Sequence, residues 1–433
     1  MKCLGGLRVA GATLITLCLA WCCTSCSPAV SRLSASSSVA SVTPGKQLWA
    51  STLRDAGTPV EAASPDGTRL FVSGQGKVGF ETVAYSAATG AQLWARAYQP
   101  ATYSNPTAIT VSPDGARVYV TGDTAKGGAT VAYDTRTGKQ LWARRATLTA
   151  YAASELAVSP DSATVYVAGS GFGVIAYAAA TGKQRWLRSY TKATDAWSVA
   201  VSADGKTVYV TGSGVREVES TGSTGESVLT VAYTATGTMK WATRYKNPYA
   251  DVYDAGTQVL AGPGGNIVYV VGRAANKSGQ HDIATFAYRA ATGKQLWLHR
   301  YHAELGGSAP RIAVTPDGQT VIVTGALSNG RTGYAALAAY HASTGETHWT
   351  AKAPLVAGPT GLVIDPHGNT VIIGGRRIAA YSVAHGTVLW TASYPARRFP
   401  TAIALSGDCT RLFETGWNGR GITGGITTVA YHT

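Results

Sequence analysis

Residues Val111 to Trp142 read VSPDGARVYVTGDTAKGGATVAYDTRTGKQLW, and worn copies of the same phrase return until the C-terminus. Its β-branched and apolar runs, RVYVTG, TVAY and QLWARR, follow a shorter run, AITV at 108–111, and turn sequences separate them. Pro presets φ and Gly accepts positive φ, so Ser-Pro-Asp-Gly between extended segments marks a tight turn. Four short strands form one small sheet that cannot bury both of its faces alone. Copies stacked side by side bury each other, so the phrase predicts a repeat architecture with one continuous core.

The count follows from two markers. A tryptophan after a Thr-Gly turn or its variant falls at Trp49, Trp94, Trp142, Trp186, Trp241, Trp297, Trp349 and Trp390. The tyrosine that closes the preceding strand falls at Tyr85, Tyr133, Tyr177, Tyr233, Tyr288, Tyr340, Tyr381 and Tyr431, one place out of step along the chain. The first tryptophan therefore lacks a strand before it, and the last tyrosine lacks an outer strand after it. Joined in space the two complete one unit. The expectation is an all-β, eight-bladed β-propeller of four-stranded blades, closed by an N-terminal strand that completes the last blade. Trp49 to Trp390 spans 341 residues in seven intervals, about 49 per unit, which is room for four short strands and their loops. The turn itself recurs at Ser64 to Gly67, Ser112 to Gly115 and Thr315 to Gly318, and in altered form in the other units, ending as SGDC at 406–409.

The N-terminus reads differently. Lys2 and Arg8 precede an apolar run from Val9 to Ala20, too short to span a bilayer, so residues 1–26 are expected to be a signal peptide. Residues 27–44 are expected to be a Ser/Ala-rich flexible tether and 45–433 the propeller. Five of the six cysteines, Cys3, Cys18, Cys22, Cys23 and Cys26, crowd into the leader and make no disulfide framework. Cys26, after Thr24 and Ser25, is the candidate lipidation site of a bacterial lipoprotein. Cys22 is the alternative, with Leu19 well placed but Trp21 where a small residue belongs. The expected location is outside the cytoplasm, either lipid-anchored in the cell envelope or secreted, with membrane contact only through the anchor.

The formal charge of +14 becomes +12 once Lys2 and Arg8 are removed. The basic residues are dispersed, with pairs only at Arg144 and Arg145, Arg376 and Arg377, and Arg397 and Arg398, so no phosphate-tracking stripe forms and no nucleic-acid partner is expected.

Ala132 to Trp142, AYDTRTGKQLW, has the pattern Ala-x-Asp-x-x-Thr-Gly-x-x-x-Trp, which resembles the tryptophan-docking motif of the quinoprotein alcohol dehydrogenases and their eight-bladed, PQQ-like relatives. The resemblance covers nearly the whole chain after the leader. It implies that the eight tryptophans are docking residues between blades rather than a substrate box. The motif aspartate survives only as Asp134, with Ser86, Ala178, Thr234, Arg289, His341, Ser382 and His432 at its place elsewhere. Enzymes of the family hold pyrroloquinoline quinone over a tryptophan, beside a calcium ion and a catalytic aspartate and under a disulfide of adjacent cysteines. Here the only adjacent pair, Cys22 and Cys23, lies in the leader and the body has Cys409 alone. The resemblance therefore points to the non-catalytic branch, whose members keep the propeller and bind partners. No cofactor is expected, and quinone with calcium belongs only to the alternative reading, a dehydrogenase or other propeller enzyme with its site at the mouth of the central channel.

No catalytic elbow, P-loop or close histidine pair stands out, and the eight histidines read as scattered surface residues. Asp251 and Asp254 in YADVYDAG read as a solvated turn rather than a cation site. Loops between second and third strands vary from SGFG near Gly171 to SGVREVESTGSTGESV near Glu217, whereas the turns at the other end are uniform. Variation on one face is where repeat proteins place recognition. Aromatic and basic residues off the repeat, Tyr103, Tyr151, Lys192, Trp197, Tyr249, Tyr253, Arg311, Arg397, Phe399 and Trp417, are the candidate binding rim, with Trp197 and Trp417 expected in loops. The expected protein is a monomeric scaffold that binds a protein or another envelope component.

Overall fold

The computed structural model describes residues 43–433 except 78, 100–103, 147–151, 218–223, 250–252, 303–306, 329–332, 354–357, 396–398 and 418–423. Among the described residues the regular elements are all β-strands, arranged as eight antiparallel four-stranded sheets. In blade 1 the strands Gly57–Ala63, Arg69–Gln75, Phe80–Ser86 and Gln92–Tyr98 lie in chain order from the centre outward, and blades 2 to 7 repeat this order. Blade 8 takes Phe399–Leu405, Arg411–Trp417 and Ile426–His432 from the C-terminal end, and its outer strand is Gln47–Leu53. Trp49 pairs with Ala430 and Leu53 with Ile426. The architecture is an eight-bladed β-propeller closed as the displaced markers require.

Burial follows position in the blade. The second and third strands of blade 3, Thr164–Gly169 and Gly173–Ala178, are buried along almost their whole length, because neighbouring blades cover both of their faces. Outer strands are half open: in Gln140–Arg145, Leu141 is exposed while Trp142 is buried.

Each seam is fastened near the turns. Trp142 Nε1 donates to the carbonyl of Ala179 in blade 3 at 2.8 Å, and its ring lies between Tyr119 of its own blade and Tyr177 of the next, with centroids 5.7 and 6.0 Å away. The indole rests on Gly182, whose φ is +66° and where a Cβ would come within 2.6 Å of Trp142 Cδ2. Only glycine meets both demands. The same indole-to-carbonyl bond joins Trp49 to Ala87, Trp94 to Thr135, Trp186 to Ala235, Trp241 to Ala290, Trp297 to Ala342 and Trp349 to Val383. Trp390 closes the ring by packing on Gly45. Asp134 caps its own turn by accepting from Thr137 Oγ1 and from the backbone N–H groups of Thr137 and Arg136, and the Thr137 hydroxyl bond leads in holding its carboxyl below the usual range.

Candidate functional site

Each inner strand ends at its Ser-Pro-Asp-Gly-type turn. These turns and the Thr-Gly turns therefore share one side of the ring, while the second-to-third-strand loops and the connections between blades share the other. The sequence-selected rim residues divide between this loop side and the central channel.

Inner strands bend at a bulge before they reach the loop side. The register shifts between Ala153 and Glu155, Ala196 and Ser198, Gly256 and Gln258, and Ser308 and Arg311, and bulges re-aim side chains. Glu155 Oε2 accepts the N–H of Val199 at 3.2 Å, Ser198 Oγ that of Val259 at 3.1 Å, and Gln258 Oε1 that of Ile312 at 3.1 Å. A chain of polar links thus passes from blade 3 to blade 6 around the channel wall. Arg311 occupies the next such position and donates Nη1 to the Pro310 carbonyl at 3.1 Å. Burial pushes the Glu155 carboxyl up to about 7, with hydrogen bonds and the Arg311 charge opposing. Burial also lowers the Arg311 guanidinium, against the pull of Glu155. Trp197 is the bulged residue of Ala193–Val201 and is 47% exposed; on an innermost strand, its open side is the channel.

Two placements therefore correct the sequence reading. Trp197 and Trp417 lie in strands rather than loops, Trp417 ending Arg411–Trp417 opposite Phe399. Arg311 stands on the channel wall and not on the rim. The cause is the same in each case: strands continue beyond the repeated phrase, so a residue outside the phrase need not be in a loop. Phe399 is half exposed, with the Arg376 guanidinium 5.2 Å from its ring centre. Lys192 is exposed in the connection into blade 4, and its carbonyl accepts from Val215 N at 3.1 Å and Arg244 Nη2 at 2.9 Å. Tyr103, Tyr151, Arg397, Asp251 and Cys26 lie outside the described residues.

Tyr249 and Tyr253 are brought together with something new. They sit in the connection from Met239–Arg244 of blade 4 to Ala255–Ala261 of blade 5. Asn247 and Asp254 pin this connection. Asn247 Nδ2 donates to Asp254 Oδ2 at 2.8 Å and to the Ala275 carbonyl at 2.9 Å, and Ala275 N donates to Asp254 Oδ1 at 2.7 Å. Asp254 is completely buried, and that burial raises its carboxyl above the usual range against these bonds. It is a structural brace, not the solvated turn residue expected from its spacing. Tyr253 remains 61% exposed, with its carbonyl 3.0 Å from His281 Nε2.

Beside it, the third and outer strands of blade 5 build a polar cluster. The register pairs Ala284 with Arg300, which sets Asp282 diagonally across from Arg300 on the same face. Arg300 Nε and Nη2 each lie 3.0 Å from Asp282 Oδ2. Asn276 Nδ2 donates to Asp282 Oδ1 at 3.0 Å, and His302 Nδ1 lies at the same distance from that oxygen. Arg300 Nη2 also reaches the carbonyls of Ala275 at 2.6 Å and Ala274 at 3.1 Å, and Nη1 reaches Tyr245 Oη at 3.3 Å. Its guanidinium is 5.9 Å from the Tyr249 ring centre. Charge-assisted bonds of this kind fix geometry as well as energy. They frame a cavity of about 490 Å³ lined by Tyr249, Asn276, Lys277, Ser278, Asp282, Arg300 and His302, within the usual size range of ligand sites.

Asp282, Arg300 and His302 escape a reading of the sequence because no short motif joins them. One signal is present: Asp282, second in the strand His281–Arg289, stands six residues before the marker tyrosine, where sibling blades have Gly79, Gly127 and Ser227.

The fold defines a class: a ring of eight tryptophan-locked blades of the pyrroloquinoline-quinone type. The chain belongs to the family described as outer membrane protein assembly factor BamB, whose pattern matches residues 35–270 and 286–411. No curated protein sequence matches it. Among solved structures it is similar to BamB from Moraxella catarrhalis at 13% identity, over 89% of this chain and 99% of that one, with a TM-score of 0.59. It is also similar to the quinohemoprotein alcohol dehydrogenase of Comamonas testosteroni at 16% identity, over 89% and 76%, with a TM-score of 0.59. Hydrazine synthase of Kuenenia stuttgartiensis matches at 17% identity, over 76% and 95%, with a TM-score of 0.55. At these identities the likeness speaks for the fold alone.

No three His, Cys, Asp or Glu side chains converge to hold a metal among the described residues. Cys409, the only cysteine among them, stands on a turn at the opposite side of the ring from the loops.

Proposed function

We propose that this protein is an exported scaffold of the cell envelope that holds a protein partner on its loop side, centred on blade 5. The observation that carries this reading is the cavity lined by Tyr249 of the connection that also carries exposed Tyr253, on the side of the ring opposite the tryptophan locks. An aromatic residue next to a polar, pre-braced pocket is what a protein-binding surface needs. The family's description as an assembly factor and the leader-like N-terminus support the same reading, with residues 1–26 as the signal peptide, 27–44 as the tether and Cys26 as the anchor point. Affinity capture of the full-length protein from its own envelope tests it. The variant combining Tyr249→Ala with Tyr253→Ala is expected to lose the main captured partner, and an unchanged set of partners rejects the loop side.

A second reading, an enzyme with its site in the channel, has Trp197, Glu155 and Arg311 on the channel wall in its favour. Dye reduction by the purified protein after incubation with quinone and calcium would favour this reading over the scaffold.

A further inference from the structure

We propose that the blade 5 cavity receives an acidic side chain of the partner polypeptide, with Lys277 and His302 as its contacts and Tyr249 as its wall. This rests on the scaffold reading and names the chemistry that the partner must present.

The argument is a charge balance. Among the described residues Asp282 is the only carboxylate lining the cavity, and both of its oxygens are engaged: Oδ2 by Arg300, Oδ1 by Asn276 and His302. Arg300 is itself taken up by Asp282, two backbone carbonyls and Tyr245, so it braces the cavity and has little left for a ligand. Two groups remain. Lys277 is exposed at the tip of the second-to-third-strand loop and belongs to no ion pair among the described residues. His302 is held through Nδ1, which leaves its Nε2 edge on a side chain that is 66% exposed. A buried carboxylate on one ring nitrogen fixes the imidazole so that the other nitrogen presents a defined edge. The lining therefore carries more positive than negative charge, and the +12 of the body adds the same sign at long range. A negative group satisfies Lys277 and, when the imidazole carries a proton on both nitrogens, Nε2–H as well, and a positive one meets no available carboxylate.

The cavity has room for a side chain or two of a partner, while Tyr253, whose carbonyl lies against His281 next to the lining Asp282, offers exposed aromatic area outside it. One acidic side chain inside and a chain laid across Tyr253 outside is the occupant that matches both features.

Fluorescent hexaglutamate added to the full-length protein, followed by anisotropy at low and moderate salt, tests this. Saturable binding is expected. The variant joining Lys277→Glu and His302→Gln is expected to weaken it by about tenfold or more, since a lost and reversed charge contact acts on both partners. Lys183→Glu, on the turn side, changes the overall charge by the same amount as Lys277→Glu and is expected to keep the affinity within about twofold. Equal weakening by Lys183→Glu would show long-range attraction only and overturn the proposal. So would an absence of saturation, or tight binding of tripolyphosphate or anionic vesicles that excludes the peptide. Lys277 is exposed, so its variant is expected to fold, and its melting curve verifies that. The two readings fail separately. Captured partners lost with Tyr253→Ala but indifferent to Lys277→Glu leave the scaffold standing and remove the acidic anchor.

Discussion

The turn side and the loop side of this ring are made from the same eight repeats and have opposite designs. On the turn side one contact is copied from seam to seam: an indole on a glycine, its N–H on a carbonyl of the next blade. On the loop side blade 5 builds an arrangement of Asn247, Asp254, Asp282, Arg300 and His302 that the equivalent sibling positions Gly79, Gly127 and Ser227 cannot copy. Uniformity marks what every blade must do to stay in the ring. A departure from it, hydrogen-bonded and facing solvent as blade 5 shows among the described residues, marks what a blade can do beyond staying in the ring.

Stability measurements can break this contrast. Trp142→Ala is expected to cost about 3–5 kcal/mol in chemical denaturation, as for other buried large aromatics, whereas Tyr253→Ala on the loop side stays within about 0.5 kcal/mol. Similar losses from both would remove the division of labour.

The seams are uniform near the turns but not near the centre. Glu61 stands where blades 2 to 8 place Ile109, Leu156, Val199, Val259, Ile312, Leu362 and Ile403. Its Oε2 accepts from Thr415 of blade 8 while Oε1 has no partner among the described residues. Burial pushes its carboxyl up to about 8 from an ordinary 4.5. Between these values the unfolded chain releases the proton and the folded chain keeps it, so the contribution of Glu61 is fully favourable below about 4.5 and is lost as pH rises through about 8. Glu61→Gln, which carries no charge at any pH, is expected to stabilise the protein by a few kcal/mol at pH 9. The gain should vanish near pH 4.5, as melting curves across that range would show.

Asp282→Ala leaves Arg300 and His302 without their shared carboxylate. Arg300 is only partly buried, so a loss of about 2 kcal/mol is expected, below that for a fully buried pair. The loss should be local, appearing as faster hydrogen exchange at Ala275 and its neighbours rather than as opening of the ring. The smallest effect concerns the turns. Cys409 holds φ of +57° where other blades have glycines such as Gly115 at +71°, and Cys409→Gly is expected to add about 1 kcal/mol by relieving that strain, as a shift of the denaturation midpoint would show.

The ring is legible in the sequence because its contacts are periodic. The eight tryptophans and eight tyrosines, displaced by one unit, require closure by the N-terminal strand, and Gln47–Leu53 supplies it. The candidate site is legible only in part. Tyr249 and Tyr253 can be picked out because they interrupt the repeat, but Asp282, Arg300 and His302 are joined by register across two strands and a turn, which spacing along the chain does not reveal. Arg311 and Trp197 are misplaced by the sequence for a related reason: a bulge within a strand turns them toward the channel.

The contrast between the two sides is tested most directly by a photo-crosslinking residue placed at Tyr253 in one variant and at Lys183 in another, with both proteins expressed in their native host. The proposed scaffold role predicts a discrete crosslinked partner from position 253 and none from position 183. A partner captured equally from both positions, or only from the turn side, would contradict it.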